Sequence, residues 1–334
     1  MTTRSTSHPP LPDAPRVAAF MPARDAASTI GAAVASLRRQ PEIAEIVVAV
    51  PAADRATRDA LQTLPSAGAT IRVVDNPTGL IPQGLNRAWR AADADVLVRL
   101  DAHSVLPDGY VARALDLLRQ TGAGNVGGVQ RPVAGEGFAA AVALAMASTA
   151  GSGGATYRTG REPGPADTVF LGVFRKDALE DVGGYDERFE RNEDAELNLR
   201  LRAANWPVWF SPDLGVDYRP RGTVRALARQ YHANGRWRRL TASHHPGSVG
   251  IRQVAPAVVA SGVLLAPVAA LLTRRRLPLL VPAGYTLGAL VEGVRIAASA
   301  RQGGQVAVAL ATMHLSFGVG YLQGPPRRGL SASP

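Results

Sequence analysis

Between residues 16 and 101, four apolar runs alternate with three helix-like stretches. "RVAAFMPA" (16–23), "EIVVAV" (45–50), "TIRVVDN" (70–76) and "DVLVRLD" (95–101) read as strands. "DAASTIGAAVASLRRQ" (25–40), "DRATRDALQTL" (54–64) and "IPQGLNRAWRAAD" (81–93) read as the helices between them. Pro82 falls near the start of the last, where proline is tolerated. Runs that are apolar on both faces predict a mostly parallel, Rossmann-like α/β sheet covered on both sides. Ligands of such sheets bind at the carboxyl ends of the strands.

Further on, "PDGYVARALDLLRQTG" (107–122) reads as a helix and "AGNVGGVQRPV" (123–133) as a glycine-rich strand or turn. "GFAAAVALAMASTA" (137–150) is a small-residue helix too short to span a bilayer, and "GSGGATYRTG" (151–160) is a loop long enough to be a lid. After about residue 250 the composition changes. Residues 254–272 and 277–291 carry no charge, and 302–326 is likewise uncharged with an apolar centre of spanning length. Three such stretches would overfill a small soluble core, so they predict C-terminal membrane helices. If the first of them spans, "TRRR" (273–276) faces outward, against the positive-inside tendency; a re-entrant hairpin with Pro256, Pro267, Pro278 and Pro282 avoids this, and both topologies stay open.

The expected organisation is a disordered leader (1–15), a catalytic domain (16–245), membrane-associated helices (246–325) and a tail (326–334). The leader lacks the apolar core of a signal peptide, which predicts a catalytic domain in the cytosol, held at the cytoplasmic (inner) membrane. With no cysteine, the 334-residue chain has no disulfide, thiol nucleophile or cysteine metal site. Its net charge of +10 is uneven: residues 218–245 hold seven arginines and no acid. Such a stripe suits a phosphate-bearing substrate or an anionic membrane; no nucleic-acid-binding signature is present, so nucleic acid is not expected as a partner.

The chemistry-bearing residues gather at the ends of these elements. In "RLDAHS" (99–104), Asp101 and His103 stand two apart, a spacing that puts both on one face of a strand. A carboxylate and an imidazole so placed can hold a divalent cation, Mg²⁺ or Mn²⁺, already carried by phosphates; the bland alternative is a turn cap beside a solvated histidine. Asp25 fits either an N-cap or a nucleotide contact. Asn76 precedes a proline and suits a turn, whereas Asn86 lies on a helix and can point at ligand. In "RNEDAELNLRLR" (191–202), Glu193, Asp194 and Glu196 crowd a helix start, with Ala195, Leu199 and Arg202 at helical spacing. Gly172 permits close approach of a ligand or a backbone and is expected to floor the sugar or acceptor site. "GGYDERF" reads as a structural turn packed by Tyr185 and Phe189.

These motifs occur in an order that resembles family 2 glycosyltransferases of the GT-A fold. "FMPARDAASTIGAAVASLRRQ", "VDNPTGLIPQGLNRAW", "VLVRLDAHSVLPDGYV", "NVGGVQRP", "FLGVFRKDALEDVGGYDERFERNEDAELNLRLR" and "ARQYHANGRW" carry the resemblance across about residues 16–240. The bacterial succinoglycan and exopolysaccharide glucosyltransferases, whose metal motif is written "DAH" rather than "DxD", are most alike. The resemblance implies a nucleotide-sugar donor contacted by Pro22, Ala23, Arg24, Asp25, Asn76, Asn86, Arg99 and Asp101, with Gln83 at another of the family's polar positions. It implies a metal at Asp101 and His103, and Asp194 as the base with Glu193 beside it or in its place. Gln230, Arg236 and Trp237 resemble a stretched "QxxRW" element at the acceptor or diphosphate, although an interfacial amphipathic helix explains them equally. The acid that usually follows the second strand is replaced by Val50, unless Asp54 substitutes.

The reading is an inverting, metal-dependent hexosyltransferase whose acceptor is a lipid-linked saccharide. Two alternatives stand beside it. One is a membrane-bound sugar-binding scaffold with a decayed site, and the other a metal-dependent nucleotidyltransferase, which would need a lysine-rich loop that this chain lacks.

Overall fold

The computed structural model describes residues 8–133 and 135–326. In chain order the first elements are β1 (Val17–Pro22), α1 (Ile30–Arg38), β2 (Ile43–Val50), α2 (Arg55–Gln62), β3 (Thr70–Asp75), α3 (Ile81–Ala91), β4 (Val96–Arg99) and α4 (Tyr110–Thr121). Then come β5 (Asn125–Gly128), β6 (Gln130–Pro132), α5 (Phe138–Ala147), α6 (Thr149–Ser152), α7 (Thr156–Thr159), β7 (Gly164–Pro165), β8 (Phe170–Arg175) and α8 (Lys176–Asp181). The rest is α9 (Glu193–Ala203), β9 (Val208–Phe210), β10 (Val216–Tyr218), α10 (Val224–His244), α11 (Ile251–Thr273), α12 (Leu280–Ile296) and α13 (Ala300–Leu322). The chain divides into two compact units. One comprises Met1–Gln130 and Gly160–Asp217, the other Arg131–Thr159 and Tyr218–Pro334.

The first unit is built on an eight-stranded sheet of order β3-β2-β1-β4-β8-β5-β9-β7. Strands β3, β2, β1 and β4 run parallel, β8 is antiparallel to both β4 and β5, and β9 is parallel to β5. Alternation along β1 explains why both faces are apolar. Val17, Ala19 and Met21 enter one core with Ile30, Val34 and Leu37 of α1 and Val111, Ala114 and Leu118 of α4. Ala18 and Phe20 enter the other with Leu85 and Trp89 of α3, Leu179 of α8 and Leu197 and Leu201 of α9. The last pair, four apart, is the stripe that α9 buries, in place of the expected Ala195, Leu199 and Arg202 face.

Several expected boundaries move. Helix α1 starts at Ile30, five residues after Asp25, so Asp25 is not its cap; Thr29 holds that position. Residues 1–7 of the expected leader and 327–334 of the expected tail lie outside the described residues. The rest of the leader is docked rather than loose: the His8 ring stacks on Trp206 at 3.3 Å between centroids, and Arg175 donates to the Pro9 carbonyl at 2.6 Å.

The second unit is helical, and α13 is its hub. Val306, Leu310 and Met313 of α13 pack on Ala141, Val142 and Met146 of α5 and on Leu227 of α10. Helices α10 and α13 meet backbone to backbone. A Cβ at Gly235 would lie 2.0 Å from the Phe317 carbonyl oxygen, and one at Gly320 2.1 Å from that of His232. Small residues permitting such close approach are characteristic of membrane helix pairs. Residues 131–159 and α10, expected in the catalytic domain, therefore group with the C-terminal helices. The expected lid forms two short helical turns instead, α6 and α7, the first capped by the Ser148 hydroxyl, which accepts from the Gly151 N–H at 3.0 Å.

Three helices, Ile251–Thr273, Leu277–Ile296 and Ala300–Leu322, are long and apolar enough to cross a membrane. The first two expose Leu264, Leu265, Leu271, Leu272, Leu287 and Val294, and Pro256 and Pro267 lie within the first. Exposed apolar surface of this extent is what a lipid environment covers.

Candidate functional site

The site forms where the parallel strands end. Strand β4 closes at Arg99, opposite Phe20 of β1. The chain then turns, with the Ser104 N–H donating to the Asp101 carbonyl at 2.9 Å. Asp101 and His103 accordingly lie in a turn and not on a strand, and the two-residue spacing does not by itself give them a common face. The carboxylate of Asp101 is partly accessible and His103 is exposed.

Arg99 organises the acids. Its side chain is 4% exposed, and Nη2 donates to Glu193 Oε1 at 3.0 Å and reaches Asp101 Oδ1 at 3.4 Å, while Nη1 pairs with Asp194. The guanidinium carbon lies 5.6 Å from the centre of the Tyr185 ring. Burial disfavours the Arg99 charge, but Tyr185, Asp101 and Glu193 more than restore it, holding the group above the ordinary arginine value. Burial likewise pushes the Tyr185 phenol up. Two of the acids come from the first turn of α9, entered through Asn192 in the left-handed conformation that asparagine tolerates. Glu193 is the more buried, with 11% of its side chain accessible against 29% for Asp194. Asp194 is thus the better placed to meet a substrate. Glu196, one turn further along α9, pairs with Arg200 at 2.7 Å.

Three carboxylates around one guanidinium leave a net local charge of about −2. That excess fits a divalent cation. Among the described residues, however, no three His, Cys, Asp or Glu side chains converge as a metal cage. One or two protein ligands with the remainder from diphosphate and water would suit Mg²⁺ or Mn²⁺.

The ends of β1, β2 and β3 form the adjoining polar rim. Pro22 ends β1 and Ala23 donates to the Ala49 carbonyl at 2.9 Å. Arg24 and Asp25 are exposed, and Arg24 Nη1 donates to the Gly79 carbonyl at 3.2 Å. Asp25 has φ of 54° and its N–H donates to Asp54 Oδ2 at 2.7 Å. Asp54 also caps α2 through the Thr57 N–H at 3.1 Å. Slight burial works against its charge, yet hydrogen bonds from the Thr57 hydroxyl and the Asp25 and Thr57 N–H groups, with Arg58 nearby, hold it below the usual carboxylate value. Asp54 thus ties two loops together, while Val50 is fully buried. Arg58 pairs with Asp75 at 2.5 Å on the same rim, a pair that motif reading passed over.

Three expected contact residues are otherwise engaged. Asn76 is buried and donates to the Leu80 carbonyl at 3.1 Å. Gln83 meets the Thr78 hydroxyl beside it. Asn86 is saturated: it donates to the Tyr185 carbonyl and to Glu187 and accepts from Trp89 Nε1 and the Tyr185 N–H, at 2.8–3.1 Å. At Gly172 the close approach is made by a side chain of the protein itself: a Cβ there would lie 2.2 Å from Asn125 Oδ1. Asn125, in turn, belongs to a buried polar line through Asn198 and Thr168.

Gln230, Arg236 and Trp237 lie on α10 in the helical unit. Gln230 donates to the Tyr218 hydroxyl at 3.0 Å, and Arg236 donates to the carbonyls of Gly324 and Pro325. Trp237 is buried.

Residues 18–183 match the model of glycosyl transferase family 2. The chain is 34% identical over 311 residues to the succinoglycan biosynthesis protein ExoA of Rhizobium meliloti (strain 1021), covering 90% of this chain and 92% of that one. Its fold is similar to the mannosyltransferase PcManGT from Pyrobaculum calidifontis, solved in complex with GDP-Man and Mn²⁺. That match has a TM-score of 0.59 and 18% identity over 90% of this chain and 87% of the other.

Proposed function

The chain belongs to glycosyl transferase family 2, and from that premise we propose that it moves a sugar from a nucleotide-sugar donor to a lipid-linked saccharide acceptor, with inversion, in exopolysaccharide or cell-envelope glycan assembly. The observation that carries this reading is the Arg99 cluster, which gathers Asp101, Glu193 and Asp194 at the carboxyl ends of the strands. Asp194 removes the proton from the acceptor hydroxyl as that oxygen attacks the anomeric carbon. The bond from that carbon to the diphosphate oxygen breaks, and its electron pair leaves with the nucleotide. Arg99 fixes the direction of the Asp194 carboxylate, and Glu193, more deeply set, positions both.

Asp101, with His103 in the same turn, would hold a Mg²⁺ or Mn²⁺. When bound, the ion supplies positive charge to the leaving diphosphate. Arg24 and Asp25 contact the nucleoside from the rim. The relative named for succinoglycan biosynthesis supports a polysaccharide product, and the Pyrobaculum neighbour carries GDP-Man and Mn²⁺ on a similar fold. The three apolar helices support an enzyme held at a membrane; on this reading it is the cytoplasmic membrane, with the catalytic unit in the cytosol and the acceptor in the bilayer.

The test uses membranes carrying the full chain, a panel of radiolabelled nucleotide sugars, lipid extract, and Mg²⁺ or Mn²⁺. Label should enter the lipid fraction and be lost in Asp101→Asn and Asp194→Asn, with donor binding retained in the latter. Unchanged transfer by Asp194→Asn would refute its role as base.

A further inference from the structure

The turn between α8 and α9 sets a buried phenol against the acid cluster. Tyr185 is 3% exposed. Its ring lies among Phe20 and Phe174, with centroids 6.5 and 6.4 Å away, and it also meets the Arg99 guanidinium, whose carbon stands 5.6 Å from the ring centre. The Tyr185 hydroxyl is sealed from solvent and finds no hydrogen-bond partner among the described residues. The same is true of Arg99 Nε. A donor without an acceptor and an oxygen without a donor thus stand on two side chains already in contact.

The phenol is held there by its backbone. Asn86 accepts from the Tyr185 N–H at 2.9 Å and donates to the Tyr185 carbonyl at 2.8 Å. Arg200, paired with the buried Glu196, donates to the carbonyls of Val182 and Gly184 at 2.5 and 2.7 Å. The turn is therefore clamped by α3 and by α9, the helix that also carries Glu193 and Asp194. Phenol and acids share one frame, which is how a site is held to a fixed geometry.

Packing alone does not account for a tyrosine at this place. Phenylalanine would fill the same aromatic corner without burying a hydroxyl, and an unmet buried polar group costs stability. Such a group in a native fold calls for a role. Arg99 offers one, because it fixes the direction of Asp194. Hydrogen bonds of an active site are often long or misaligned before substrate arrives and tighten when it binds.

We propose that Tyr185 is a positioning residue of the transfer site: its ring backs the Arg99 guanidinium, and its hydroxyl oxygen takes the free Arg99 Nε–H as the saccharide binds, so that Asp194 keeps one direction. The proposal rests on the reading of Asp194 as the base. The turn at residues 183–189, expected to be structural, then supports the chemistry as well.

The experiment compares wild type with Tyr185→Phe, Phe174→Leu and Asp194→Asn. Each is the full chain in membranes, given radiolabelled GDP-mannose or UDP-glucose with lipid extract, and Tm is read on the solubilised chain. Tyr185→Phe should melt no lower than wild type, because it removes an unmet hydroxyl. Its kcat should nonetheless fall about tenfold, with KM for the donor within about twofold of wild type. Phe174→Leu takes packing from the same corner and should lower the Tm while leaving kcat within about twofold. Unchanged kcat in Tyr185→Phe overturns the proposal. So does a lowered Tm in Tyr185→Phe with a loss of kcat no greater than that of Phe174→Leu, since the hydroxyl is then a packing group. The base assignment fails separately, when Asp194→Asn transfers sugar as wild type does. An inactive Asp194→Asn beside a fully active Tyr185→Phe removes the positioning role alone.

Discussion

Arginine does different work in the two units. In the sheet unit it meets carboxylates: Arg58 with Asp75, Arg175 with Asp177, Arg188 with Asp186, Arg200 with Glu196, and Arg99 with three acids at once. In the helical unit Arg236 meets backbone carbonyls, Arg239 lies 5.4 Å from the centre of the Tyr321 ring, and Arg158 meets a phenol. The net charge of +10 is therefore not a property of the whole surface. The sheet unit largely neutralises its own cations and even holds a local excess of negative charge around Arg99. The helical unit has only two acids, Glu136 and Glu292, and the second pairs with Arg295. Packing differs in parallel. The sheet unit buries large side chains on two faces, whereas α10 and α13 bring glycines against backbone.

Arg99→Met tests the first half of this contrast most severely. It leaves Glu193 buried beside Asp194 and Asp101 with no guanidinium, and should cost about 3–5 kcal/mol, the range for breaking a buried ion pair. Thermal unfolding of the solubilised chain would measure it. A loss below 1 kcal/mol would mean that Arg99 does not neutralise the acid cluster. The packing contrast is tested next. Gly235→Ala drives a methyl toward the Phe317 carbonyl and should fall at the upper end of the about 1–3 kcal/mol typical of overpacking. Gly172→Ala in the sheet unit meets the Asn125 and Phe174 side chains and no backbone atom among its nearest neighbours, and should cost less. Equal losses in the two would erase the distinction between backbone and side-chain contact.

The strands and helices of residues 16–101 were legible because a strand buried on both faces leaves an apolar run that little else produces. The end of β4 was not. "DVLVRLD" continues apolar to Leu100, but pairing with β1 stops at Arg99, so Asp101 falls in a turn. The role of Arg99 was equally hidden, since its partners Glu193 and Asp194 lie more than 90 residues away and no local pattern announces a shared counter-ion. Asp194 was singled out through a motif whose order survives in the chain. Its separation from Glu193 by accessibility needed coordinates. Asn86 shows what a motif does not carry: a polar residue on a helix invites a ligand, and its four hydrogen-bonding positions are engaged by the Tyr185 turn, Glu187 and Trp89. Nor could residues 131–159 be assigned to the helical unit, because an apolar ten-residue helix does not state its partner.

Asn86→Ala puts that engagement to a measurement. It leaves Trp89 Nε1 and the Tyr185 N–H without acceptors, which should cost about 1–2 kcal/mol, and KM for the donor should stay within twofold of wild type. A large rise in KM with unchanged stability would restore Asn86 to the nucleotide.

The smallest effect expected belongs to Asp54, which holds the loop after β1 to the start of α2. Its native carboxyl titrates below the usual value of 3.8, so it binds protons less readily folded than unfolded. Its stabilisation is complete above that value and disappears as pH falls through the lower native one. Asp54→Asn keeps an acceptor for the Thr57 N–H, since asparagine also caps helices, but removes the titration. Asp54→Ala removes both and should cost about 1 kcal/mol at neutral pH. Unfolding followed from pH 6 to pH 2.5 should therefore show the gap between wild type and Asp54→Ala narrowing below about pH 4, where the protonated wild-type carboxyl gives up its hold on the Asp25 and Thr57 N–H groups. A gap that stays constant with pH would mean that the aspartate acts by shape alone, and that the loop carrying Arg24 and Asp25 is set by its own backbone and not by the charge beneath it.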